Sequence, residues 1–216
     1  MIALLAYLLG SIPTGYLVAR AKGIDIRSVG SGNIGATNAL RVLGKPAGIL
    51  VFVVDALKGF LAVVLIVNWY PELCNLAPRW FASNGHGDHQ LRESLGIVAG
   101  VFAVLGHNYT CWLKFKGGKG IATSAGVLTA LVPWALLIIF SLFIVLSAIT
   151  RFISVGSLAA AFSLPFATWF TTKNWTLTAA TGAMGFLAIY RHKANIQRLL
   201  NGTEPRFGQK KSEAAK

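Results

Sequence analysis

"IATSAGVLTALVPWALLIIFSLFIVLSAI", residues 121–149, is an apolar run of 29 residues with Pro133 near its middle. About 20 apolar residues are enough to cross roughly 30 Å of hydrocarbon. The run is therefore one overlong crossing or two short ones turned at Pro133. Five further apolar stretches surround it: Met1–Ala19, Ala47–Tyr70, Leu95–Leu113, Ile153–Phe170 and Trp175–Tyr190. A chain built this way crosses a membrane several times.

Charge decides between the two readings. The chain is 55% hydrophobic, yet it carries 20 Lys and Arg against 7 Asp and Glu, which excludes a disordered chain and an ordinary soluble domain. Residues 20–45 hold five Lys or Arg and one acid, whereas residues 71–93 hold two and three. By the positive-inside rule the first connection faces the cytoplasm and the second faces out. A single crossing at 121–149 would put the tail from Arg191, with seven Lys or Arg, outside; a hairpin of two short helices keeps it inside. Short helices at membrane depth are tolerated where they line a cavity or are covered by protein, so the hairpin is expected to back a site.

The expected fold is thus an all-α integral membrane protein of seven transmembrane helices, with its N-terminus outside and its C-terminus cytoplasmic. It is read as a single membrane domain, 1–216, with cytoplasmic loops 27–45, 114–120 and 191–208, an outer loop 71–93 and a basic tail 209–216. The first run lacks a basic leader, and Arg20, Lys22 and Arg27 follow it, which marks a retained helix rather than a cleaved signal. Cys74 and Cys111 fall at opposite faces, so no disulfide framework is implied.

Three polar segments converge on the cytoplasmic face: "RSVGSGNIGATNALRVLG" (27–44), "GHNYTCWLKFKGGKGIATS" (106–124) and "RHKANIQRLLNGTEPRFG" (191–208), with Thr150-Arg151 at a further turn. The first two contain no Asp or Glu. Metal-assisted phosphoryl chemistry needs carboxylate ligands for a hard cation, so these loops are suited to holding an anion directly. Glycines would let backbone N–H groups approach an oxyanion while Lys and Arg supply charge. "FKGGKG" is not a phosphate loop of the Walker type, because Gly120 rather than Ser or Thr follows Lys119. A plain cytoplasmic turn is the bland alternative for one such loop and a poorer account of two.

Asp55 and Lys58 lie at i and i+3 inside a span, where they are expected to satisfy each other as an ion pair. His86, Asp88 and His89 read as a polar outer loop in preference to a metal site. His107 closes a span shortly before the lysine loop, and His192 with Asn195 forms an i, i+3 pair.

The segments "GSGNIGATNALRVLG", "GH" followed by "FKGGKG", and "RHKANIQRLLNGTE" closely resemble the three motifs of the acyl-phosphate:glycerol-3-phosphate acyltransferases, with "GSIPTGY" (10–16), "DALKG" (55–59) and Thr150-Arg151 as supporting matches. The resemblance implies a multi-pass bacterial inner-membrane enzyme with its active site facing the cytoplasm. It would move an acyl group from acyl phosphate to the 1-hydroxyl of glycerol-3-phosphate, giving lysophosphatidic acid and inorganic phosphate. It implies no metal, no cofactor, no acyl-CoA and no nucleic acid, and a monomer in the lipid bilayer. Carried over by position, Ser31, Arg41, His107 and Lys119 are expected to be catalytic. Thr37, Asn38, Lys116, Gly117, Gly118, Gly120, Thr150, Arg151, His192 and Asn195 are expected to bind substrate phosphate, and Asp55, Lys58 and Glu204 to support them. The chain departs from the pattern at Thr110, where proline is expected.

Two phosphorylated substrates bring about −3 to −4 of charge, which Arg41, Lys116, Lys119 and Arg151 would balance. The acyl phosphate is already activated, so direct attack by the hydroxyl is expected, with His107 or a substrate phosphate as base. The alternatives are an anion or organophosphate transporter and an acyl-CoA-dependent enzyme. Against the first, no internal repeat is visible. Against the second, position 112, five residues after His107, is Trp112 where that class carries Asp.

Overall fold

The computed structural model describes residues 1–69 and 87–207, and among them all regular structure is helical. The chain divides into two compact units, Met1–Pro133 and Trp134–Lys216.

In the first unit the run read from sequence as one span is two helices, α1 (Ile2–Ser11) and α2 (Thr14–Arg20). Pro13 cannot donate the N–H that would continue α1, and it forces the residue before it out of helical geometry; Ile12 accordingly has φ −55° and ψ 114°. The segment expected to be a loop at 27–45 contains a short helix, α3 (Ala36–Leu43). Helix α4 (Lys45–Asn68) has 24 residues, about 36 Å at 1.5 Å per residue. Helix α5 (Gly87–Asn108) begins before Leu95, so 87–93 are helical rather than loop.

The break near Pro133 is present. Helix α6 (Ile121–Leu131) has 11 residues, Val132 leaves helical geometry at φ −144°, and Pro133 opens α7 (Pro133–Thr150), with 18 residues. Helix α1 packs along α5, and α4 packs against both α5 and α6. Small residues make this possible: a Cβ at Gly10 would overlap the Ala103 carbonyl, and one at Gly126 that of Ala56. Helices in lipid gain little from burying apolar surface against each other, so close backbone approach has to supply the packing energy.

The second unit holds α7, α8 (Ile153–Thr172), α9 (Trp175–Arg191) and α10 (Lys193–Leu200), with α8 packed on α9. Asn174 caps α9 by accepting the Leu177 N–H at 3.1 Å, satisfying one of the orphan donors of its first turn.

Among the described residues five helical segments are long and apolar enough to cross a membrane: Ile2–Arg20 with its internal break, Lys45–Asn68, His89–Leu113, Pro133–Thr150 and Ile153–Thr172. Two of the seven expected spans are shorter, α6 with 11 residues and α9 with 17. Cys74, His86 and the side chain of Asp88 lie outside the described residues. Cys111 is a half-buried free thiol.

Candidate active site

The first motif is folded by one amide. Asn38, buried in α3, donates from Nδ2 to the carbonyls of Ile26 (3.3 Å), Val29 (3.1 Å) and Asn33 (2.9 Å), and its Oδ1 accepts the Ser31 N–H at 2.9 Å. Expected to meet phosphate, Asn38 instead ties the loop to its own helix. The loop can be that compact because Gly30 and Gly32 adopt φ +63° and +69°, a region open to glycine at little cost. The result leaves Ser31, Thr37 and Arg41 exposed, with Thr37 and Arg41 one turn apart on one face of α3. Arg27 is not part of this offering. It makes a bidentate contact to Asp25 at 2.9 and 2.7 Å, and these hydrogen bonds hold the Asp25 carboxyl down at about 2.

The lysine loop is folded by backbone. The Gly117 N–H donates to the Asn108 carbonyl at 3.1 Å and the Gly118 N–H to the His107 carbonyl at 3.0 Å. This corrects the expectation that both glycines aim their N–H groups at an anion: those donors are engaged with the C-terminal carbonyls of α5. Glycine is required for the approach itself, since a Cβ at Gly117 would overlap the His107 carbonyl and one at Gly118 the His107 ring at Nε2. Gly120, at φ +81°, turns the chain into α6. What the loop presents outward is charge: Lys116 is exposed and Lys119 half-buried.

Thr110, where proline was expected, has φ −64°, the value at which a proline ring fixes its residue. Its hydroxyl adds a 2.6 Å hydrogen bond to the Ser11 carbonyl that proline could not make. The turn geometry is therefore proline-like despite the substitution.

The two loops share a floor. Leu113 packs in one buried cluster with Ile34 and Ala39 of the first motif, Ile26 just before it and Val51 of α4. Beneath them sits "GSIPTGY", whose role sequence reasoning missed. Ser11 accepts the Trp112 indole N–H at 2.9 Å, and Gly15 lies so close to the Ile34 carbonyl that a Cβ there would overlap it. The available signal was Pro13, flanked by hydroxyls, in the middle of an apolar run.

Asp55 and Lys58 form the expected pair at 2.8 Å, with side chains only 2% and 4% exposed. Asp55 Oδ1 also accepts the Thr14 hydroxyl at 3.0 Å and lies 3.7 Å from His107 Nδ1. Lys58 donates to the Ile12 carbonyl at 2.8 Å, an acceptor that the Pro13 break has released from helical pairing.

The remaining candidates belong to the second unit. Arg151 is exposed and caps α7 in the left-handed region at φ +62°. Its carbonyl accepts the Phe207 N–H at 2.6 Å, while the Thr150 hydroxyl donates to the Leu146 carbonyl at 2.6 Å. His192 is buried with Nδ1 2.7 Å from the Ala188 carbonyl; a carbonyl only accepts, so Nδ1 carries the proton. Glu204 folds back on α10, accepting from Asn195 at 2.6 Å and Arg198 at 2.7 Å. Burial alone would raise this carboxyl, but the hydrogen bonds outweigh it and hold it below the usual range.

A family model described as glycerol-3-phosphate acyltransferase matches residues 1–202. The glycerol-3-phosphate acyltransferase of Thermosynechococcus vestitus is 44% identical over 211 residues, covering 96% of this chain and 94% of that one. That of Synechococcus elongatus is 46% identical over 212 residues, covering 98% and 95%. Among solved structures, the glycerol 3-phosphate form of PlsY (YgiH), an integral membrane glycerol 3-phosphate acyltransferase, is similar with a TM-score of 0.80 and 38% identity, covering 96% of this chain and 94% of that one. The lysophosphatidic acid form is similar with a TM-score of 0.77 and 37% identity over the same shares. The chain therefore belongs to the glycerol-3-phosphate acyltransferase family of integral membrane enzymes, of the PlsY type.

Proposed function

We propose that this acyltransferase takes its acyl group from acyl phosphate and delivers it to the 1-hydroxyl of sn-glycerol-3-phosphate, releasing lysophosphatidic acid and inorganic phosphate. The observation that carries the reading is a pair of acid-free segments in the first unit, 27–44 and 106–124. Ser31, Thr37 and Arg41 on one loop and Lys116 and Lys119 on the other rest on a common floor around Leu113, and neither loop contains an acid. Hydroxyls and cations without carboxylates suit phosphate groups bound directly. Related structures with glycerol 3-phosphate and with lysophosphatidic acid support substrate and product of this kind.

In this mechanism the hydroxyl oxygen attacks the acyl carbon, the bond from that carbon to the phosphate oxygen breaks, and phosphate departs with the electron pair. Arg41, Lys116 and Lys119 stabilise the charge on the phosphate groups. His107 is buried between Asp55 and Gly118, which favours a phosphate oxygen over the imidazole as acceptor of the hydroxyl proton. Arg151, Thr150, His192 and Asn195 are proposed as further phosphate contacts on the strength of their motif positions. The working enzyme is proposed to be a monomer acting as one membrane domain in the bacterial inner membrane, with seven crossings and its site facing the cytoplasm, as the distribution of Lys and Arg favours.

The test is purified protein with labelled glycerol-3-phosphate, supplied with acyl phosphate or acyl-CoA, with and without EDTA. Product from acyl phosphate alone, unaffected by EDTA, is the expected result. Turnover only with the CoA thioester would overturn the donor assignment. Lys119→Ala is expected to raise KM for glycerol-3-phosphate at least tenfold, and unchanged kinetics would remove the loop from the site.

A further inference from the structure

We propose that Asp55 is a positioning residue for the lysine loop, acting through the His107 ring on Gly118 and so on Lys119. The inference rests on the reading of 116–120 as a glycerol-3-phosphate subsite and says what holds that subsite in place.

The geometry runs in one line. Asp55 Oδ1 gathers the Lys58 ammonium at 2.8 Å, the Thr14 hydroxyl at 3.0 Å and the Nδ1 edge of His107 at 3.7 Å. The last distance is too long for a hydrogen bond, so what it supplies is charge beside the Nδ1 edge, which fixes which edge of the ring faces α4. The opposite edge, at Nε2, then lies against Gly118, with no room for a methyl group between them. Gly118 also donates its N–H to the His107 carbonyl at 3.0 Å. The ring and the main chain of one residue thus set the height of Gly118, and Lys119 is the next residue along.

An ion pair kept only for packing would not need this. Lys58 and Asp55 already neutralise each other at i and i+3, and a buried pair is commonly replaceable by apolar residues at no loss of stability. Here one oxygen is shared by side chains from α2, α4 and α5, and the partner lysine adds a second donor, beside the Thr14 N–H at 3.0 Å, to the Ile12 carbonyl at the Pro13 break. The pair is placed where the two halves of the first span, α4 and the start of the lysine loop meet.

The experiment compares wild type, Asp55→Asn/Lys58→Met, Gly118→Ala and the combined triple variant, reading Tm, kcat and KM for each substrate. Equilibrium binding of labelled glycerol-3-phosphate is measured alongside, so the outcome does not depend on turnover. The double variant leaves no unpaired buried charge, so Tm is expected within a few degrees of wild type. KM and Kd for glycerol-3-phosphate should rise about tenfold, with KM for acyl phosphate little changed. Gly118→Ala should raise the same constants, and the triple variant should resemble the worse of its parents, because both changes act on one ring. Wild-type affinity in the double variant, equal loss for both substrates, or a triple effect equal to the product of the separate ones would each overturn the inference. Thr14→Val is a milder second arm that deletes one donor to Asp55. A two- to threefold rise supports the proposal, and no change counts against it even if the double variant does not insert. A wild-type protein that makes no lysophosphatidic acid from acyl phosphate would instead end the functional reading.

Discussion

Two carboxylates organise the two units in opposite ways. Asp55 joins residues 41 and 52 positions away, Thr14 and His107, deep inside a membrane span. Glu204, its side chain 7% exposed, is held mainly by Asn195 and Arg198, only 9 and 6 positions away, with Ser154 of α8 beside it. The first is a long-range tie whose loss strands a buried charge; the second is a clasp made mostly within the last turns of the chain, whose loss frees them. A third pair, Asp25 with Arg27, is two residues apart with side chains 33% and 43% exposed. The cost of breaking each should follow burial and sequence reach rather than distance, since all three pairs lie at 2.7–2.8 Å.

The largest effect is expected from Asp55→Ala, which strands the Lys58 ammonium. Breaking a buried pair from one side costs about 3–5 kcal/mol, to be measured as thermal unfolding in detergent. A change within experimental error would show that Lys58 reaches water and would erase the contrast with Glu204. Glu204→Gln comes next. The amide keeps an oxygen for Asn195 but loses the charge on Arg198, so about 1 kcal/mol is expected. The effect should be confined to hydrogen-exchange protection in 191–207, and global destabilisation would mean the clasp is not local.

The same clasp gives a pH test with a defined sign. The folded carboxyl of Glu204 lies below its ordinary value of 4.5. Its stabilising contribution is therefore present in full above about 4.5 and is lost as pH falls through the lower folded value. Protection in 193–207 should fall only below that point, and loss between pH 5 and 7 would assign the effect to another group. The smallest effect is expected at the exposed pair. Arg27→Ala should let Asp25 rise from about 2 toward its ordinary 3.8, as followed by NMR titration, with Tm unchanged. A clear drop in Tm would mean that the Asp25–Arg27 pair holds the first motif more firmly than its exposure suggests.

Legibility differs along the chain for physical reasons. The apolar, membrane-crossing character of the chain and the break at Pro133 were readable because they depend on local hydropathy and on proline chemistry, which act within a few residues. The break at Pro13 obeys the same chemistry but was hidden by the length of the apolar run, despite the Ser11 and Thr14 hydroxyls that flank it. Asn38 was misjudged because an amide that binds a phosphate and one that pins its own loop have identical sequence signatures. Gly117 and Gly118 stand out in the sequence, but their N–H groups serve a contact other than the one read there. Glycine marks close approach, and sequence could not say that the approaching partners are His107 and Asn108.

Residue order is enough to establish the class of molecule and the chemistry on offer: apolar runs long enough for membrane, an excess of Lys and Arg on one set of loops, and two motif loops free of acids, properties that each reside in a short stretch of chain. It takes the packed helices to bring Asp55 to His107 and Thr14, to seat the first motif and the lysine loop on the Leu113 floor, and to engage the Gly117 and Gly118 N–H groups. Those facts depend on which helices approach closely enough for small residues to interlock, and that is a property of all the helices together.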